Sequence, residues 1–196
     1  FTVTPDDVHI SSTAIGVHGN AVQDGEVLDY NFYASDPGAT VGNPPTTSAS
    51  TAFIQVTQFN TSNPEDFVVV LKLADPSDPA NFITRTIVVQ GTDVLTSNQP
   101  GFPTLGNGEG LIIVEPNDYL NLDGVPAGYE IVGMQLRSSS EGLGSEAGEI
   151  YNFNGALGAF DDSTTSFSAA TNNNDVFKIL DIGVLRTSTE DQSATI

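Results

Sequence analysis

Between Val27 and Ala34 the chain alternates residue by residue: Leu28, Tyr30, Phe32 and Ala34 face one way, Asp29 and Asn31 the other. A period of two marks a half-buried strand. Residues 51–57, 66–74 (DFVVVLKLA), 82–89 (FITRTIVV), 110–115 (GLIIVE), 129–137 (YEIVGMQLR) and 176–186 (VFKILDIGVLR) predict further strands. They are short and rich in Val, Ile and Phe, and turn formers such as Asn63-Pro64, Asp75-Pro76, Asp78-Pro79 and Asp123-Gly124 punctuate them. No long stretch holds the helical period of about 3.6 residues. Short strands at this spacing point to an all-β fold, a jelly-roll-like β-sandwich with long loops at one end.

The pattern also bounds the domain. Residues 1–186 read as a single β-sandwich ligand-binding domain, and the polar stretch 187–196 (TSTEDQSATI) as a tail or linker. The start at Phe1, with no secretory signal pattern, reads as a domain taken from a longer protein. Residues 35–50 and 138–175 form two longer loops, the second with clustered Ser, Glu, Gly and Asn around a weak strand signal at 149–153. Long irregular segments in a compact domain are usually functional.

Charge sharpens this picture. Five Lys and Arg face 25 Asp and Glu, a net charge of -20. That balance argues against nucleic acid, whose phosphates need Lys and Arg, and against anionic membrane surfaces. No apolar run reaches the roughly 20 residues of a membrane span, so membrane insertion is not expected. Self-repulsion of this size works against compactness unless a cation offsets it. A divalent metal would do so, and a merely solubilising acidic surface is the alternative. The absence of cysteine excludes disulfides, zinc–thiolate sites and thiol nucleophiles. Bound calcium would serve as the missing cross-link.

Calcium takes six to eight oxygens, by general rule, from carboxylates, amides, carbonyls and water. Asp29 and Asn31 share the polar side of a strand, and Asp36 follows in a Pro-Gly turn; together they form a candidate site, the alternative being a solvated face. Asp181 shares a predicted inward face with Phe177, Ile179 and Leu185, where an unpaired carboxylate must meet calcium or one of the three arginines. Residues 171–175 (TNNND) bring the oxygens of Asn172, Asn173, Asn174 and Asp175 into one turn, the alternative being a plain polar hairpin turn, and Glu141, Asp161 and Asp162 belong to the same long loop. Residues 119–130 (YLNLDGVPAGYE) fit a calcium-binding EF-hand loop only in part, since Tyr119 stands at the first ligand position and Pro126 intrudes. That stretch reads as a turn between strands.

Catalysis finds little support. His9 and His18 are far in sequence from any candidate nucleophile, and there is no G-x-S-x-G, H-E-x-x-H or phosphate loop. No tryptophan is present to stack sugars. The chain reads as a binding domain, not an enzyme.

The segments PAGYEIVGMQLRSSSEG (126–142), YNFNGA (151–156) and NNNDVFKILDIG (172–183) resemble the ligand-binding domain of giant repeats-in-toxin (RTX) adhesins. So do DVHISSTAIGV (7–17), GEVLDYNFYASDPGAT (25–40) and EDFVVVLKLAD (65–75), which extends the resemblance from about residue 7 to 186. The resemblance implies a monomeric, calcium-dependent peptide-binding module near the distal end of a secreted bacterial cell-surface adhesin. Such a module would grip the free C-terminus of a host or partner protein, several calcium ions helping to hold the carboxylate, in colonisation or biofilm formation. The residues that would read the neighbouring peptide backbone rest on the chemistry of the long loop and not on the resemblance: Ser139, Ser140, Asn154, Asn172, Asn173, Asn174 and Asp175. The alternatives are a calcium-dependent carbohydrate-binding module with glycan ligands, and a structural spacer stiffened by calcium.

Overall fold

The structure is a computed structural model that describes residues 8–10, 14–17, 27–37, 43–58, 66–140 and 177–185. It consists mostly of strands in two antiparallel sheets, in agreement with the all-β expectation. The strands are β1 (Val8–Ile10), β2 (Ile15–Val17), β3 (Val27–Asn31), β4 (Thr51–Thr57), β5 (Asp66–Ala74), β6 (Ile83–Val89), β7 (Glu109–Val114), β8 (Glu130–Ser140) and β9 (Lys178–Leu185). A five-stranded sheet has the order β1-β2-β9-β4-β7, and a four-stranded sheet the order β3-β8-β5-β6. Helix is confined, among the described residues, to a 3-10 turn at Gly91–Asp93 and one turn of α1 at Pro116–Tyr119. Pro116 opens α1 without losing a needed N–H, and Asp118 Oδ2 accepts the Glu115 N–H at 2.7 Å.

One apolar cluster joins the two sheets. Leu28, Val69, Leu71, Met134 and Leu136 come from the four-stranded sheet, and Ile54, Val56, Ile112, Val114 and Ile179 from the five-stranded one. These positions are every second residue of their strands, as the pleat requires. The opposite faces are covered as well. Val68, Val70, Lys72 and Gln135 are buried on the far side of β5 and β8. On the far side of β4, the Phe102 ring meets Phe53 edge-on at 5.6 Å, and Gln55 donates to Glu109 Oε2 at 2.9 Å and to the Thr104 carbonyl at 3.4 Å. The connection from the 3-10 turn to β7 therefore packs over that outer face.

Register fixes which strand ends lie side by side. Thr57, last in β4, pairs with Glu109 at the start of β7 and Lys178 at the start of β9. In the other sheet Asp66 opposes Ser140, and Phe67 opposes Val89, the last residue of β6. The Phe67 and Phe177 rings meet edge-to-face at 5.2 Å and tie these two ends together. At the opposite end Tyr119 OH donates to the Ser50 carbonyl at 3.1 Å, and Ser48 Oγ donates to Glu130 Oε2 at 2.6 Å.

Candidate functional site

Asp29 and Asn31 do converge, as their spacing predicts, but they converge on a lysine. Lys72 lies in the middle of β5 with its side chain 1% exposed. Its ammonium forms an ion pair with Asp29 and donates to Asn31 Oδ1 at 2.6 Å. To do so it reaches from β5 over β8 to β3. Gly133 of β8 lies opposite both Lys72 and Asn31 and makes the crossing possible. A Cβ there would come within 2.5 Å of the Tyr30 carbonyl oxygen, 2.9 Å of Asn31 Oδ1 and 3.0 Å of the Lys72 side chain. The Phe82 ring flanks the ammonium, its centroid 5.7 Å away. Two members of the expected three-ligand calcium site are thus engaged by a buried ammonium. Asp36, the third, is exposed beyond the bend at Ala34 and Ser35.

The amide of Asn31 is held from its other side too. Its Nδ2 donates to the Asn43 carbonyl at 2.9 Å, and Tyr33 OH donates to the same oxygen at 2.7 Å. Next to this group Tyr30 turns its ring into the core, and its hydroxyl is buried without a hydrogen-bond partner. Burial, with the Asp29 charge adding to it, holds the Tyr30 phenol far above the usual tyrosine range.

Asp181 is corrected as well: it is exposed, not inward. Gln55 pairs with Asp181, but its neighbour Val56 pairs with Ile179, so Leu180 is an extra residue in β9. Such a bulge shifts the alternation by one. Phe177 and Ile179 face the core before it, and Ile182 and Val184 pack against the core after it. Asp181 and Leu185 then point away, Leu185 being 37% exposed. No buried carboxylate needs a cation at this position.

Ser139 and Ser140 are the last residues of β8, at the end where β5 and β9 begin. Glu141, Asn154, Asp161, Asp162, Asn172, Asn173, Asn174 and Asp175, with the weak strand signal at 149–153, lie outside the described residues. Among the described residues, no three His, Asp or Glu side chains group closely enough to hold a metal ion.

Two features escape a reading of the sequence. One is Lys72 itself, although a lone charge inside VVVLKLA, with a mid-strand glycine elsewhere in the chain, was a signal for a buried partner. The other is a cavity of about 810 Å³ between the edge strands β6 and β7. Ile87, Val89, Phe102 and Ile113 give it apolar walls, and Asp93 and Asp118 add carboxylates. Its walls come from segments distant in sequence, so no motif announces it. Compared with known proteins, the chain matches no family model, no curated protein and no solved structure.

Proposed function

We propose that this chain is a calcium-dependent peptide-binding domain of a bacterial surface adhesin, a jelly-roll-like sandwich that captures the free C-terminus of a partner protein. The observation that carries the reading is topological. The connection 141–176 leaves β8 at one end of the four-stranded sheet and rejoins the five-stranded sheet at the adjoining end, where Phe67 meets Phe177. It holds six carboxylates, Glu141, Glu146, Glu149, Asp161, Asp162 and Asp175, and no Lys or Arg. A stretch of that composition, anchored on rigid strands, is suited to metal and ligand binding. The resemblance to RTX adhesin domains supports the same assignment.

Calcium would draw its ligands from this stretch, since Asp29 and Asn31 are committed to Lys72. When bound it supplies the positive charge by which an acidic domain attracts a carboxylate. The chain's own part is to present Ser139, Ser140 and the Asn172–Asn174 run beside it. Peptide and glycan arrays probed in calcium and in chelator test the reading. Capture of peptides with free C-termini in calcium alone supports it. Capture of glycans alone identifies a carbohydrate-binding module, and silence on both identifies a spacer.

A further inference from the structure

The Lys72 cluster contains the parts of a covalent cross-link. The nucleophile is Nζ, buried and hydrogen-bonded at 2.6 Å to the oxygen attached to the carbon it would attack, Cγ of Asn31. The electrophile is a side-chain amide whose Nδ2 is fixed by the Asn43 carbonyl at 2.9 Å, so it cannot turn its oxygen away from the lysine. The proton carrier is Asp29, paired to the same Nζ, with a side chain 46% exposed that connects the cluster to solvent. Gly133 removes the one side chain that would stand between lysine and amide. We propose that Lys72 and Asn31 join in an intramolecular isopeptide bond, with Asp29 moving the protons.

The step balances without any co-reactant. Asp29 takes a proton from the ammonium, and the freed amine lone pair attacks Cγ. Nζ must first rise from the plane of the amide to its face, which the last torsions of lysine permit. The Cγ–Nδ2 bond then breaks as the carbonyl re-forms. Of the three ammonium protons one stays on the new amide, and two leave with Nδ2 as ammonium, carried in turn by Asp29. Fixing amine and amide in contact is the kind of preorganisation that makes slow acyl transfers effective inside a protein. The product ties β3 to β5 across β8 and closes residues 31–72 into a covalent loop. A chain without cysteine gains from this the staple that disulfides provide elsewhere. The inference stands apart from the ligand-binding reading, because it uses only Asp29, Asn31 and Lys72.

Intact-mass spectrometry of the purified, denatured domain tests it. The expected mass is one ammonia, about 17 Da, below that of the sequence, and fragmentation should find Asn31 and Lys72 in one branched peptide. A full sequence mass overturns the proposal. So does an ammonia loss confined to a linear peptide, as cyclisation at Asn107-Gly108 or Asn154-Gly155 would give. Lys72→Arg keeps a cation but should show its full sequence mass and a lower melting temperature than the wild type. Asp29→Ala, checked for folding by circular dichroism, should also retain its full mass. A folded Asp29→Ala domain that cross-links as the wild type does would remove Asp29 from the mechanism.

Discussion

Gly133 supports more than its own strand. Its missing side chain lets Lys72 cross β8 and meet Asp29 and Asn31 on β3. Gly133→Ala puts a methyl group against a backbone carbonyl that has no room to yield, and overpacking of this kind costs about 1–3 kcal/mol. The expected result is a lower urea midpoint with an unchanged slope. Asp181→Ala should behave in the opposite way. The side chain is exposed, so the change should stay within about 0.5 kcal/mol of the parent in the same assay. The two residues differ in how far the sequence reveals them. Alternation alone places Asp29 and Asn31 on one face, but naming their partner requires the register of three strands.

At the scale of the element, periodicity was a reliable guide wherever the pleat runs unbroken. β4 and β5 have the bounds predicted for them, Thr51–Thr57 and Asp66–Ala74. β9 is a strand as expected, yet its second half faces the other way, because an extra residue at Leu180 is invisible to a period-two count. β1 and β2 hold three residues each, too few for a pattern to emerge. The bulge is what returns Ile182 and Val184 to the core. Deleting Leu180, the extra residue, would restore strict alternation and leave both of them facing the core. Both apolar contacts are then kept, so the denaturant midpoint should fall by far less than their loss would cost, at about 1.5–3 kcal/mol for each fully buried side chain and less for these partly buried ones. A drop of that full size would show that Leu180 is not the extra residue.

The whole molecule is acidic, with a net charge of -20. Of the five basic residues, Lys72 is buried with Asp29. Arg85 donates to the carbonyls of Asp123 at 2.8 Å and Gly124 at 3.0 Å, in exposed hydrogen bonds. Gly124 has φ +70, and a Cβ there would lie 2.6 Å from the Arg85 guanidinium, so this contact is built into the turn. With five basic residues against 25 acidic ones, the outward field is that of the carboxylates, which draws cations and repels anions. On the proposed reading, a peptide carboxylate binds where a metal reverses the local sign. The sequence makes that charge balance legible, whereas the site's geometry depends on which loops the strand order brings together. Calorimetry with a short peptide carrying a free C-terminus, its C-terminal amide, and each in calcium and in chelator, tests the claim most directly. Measurable binding of the free acid is expected in calcium, and at least tenfold weaker binding, about 1.4 kcal/mol, for the amide or after chelation. Equal binding of acid and amide, or binding of the acid unchanged by chelator, would contradict it.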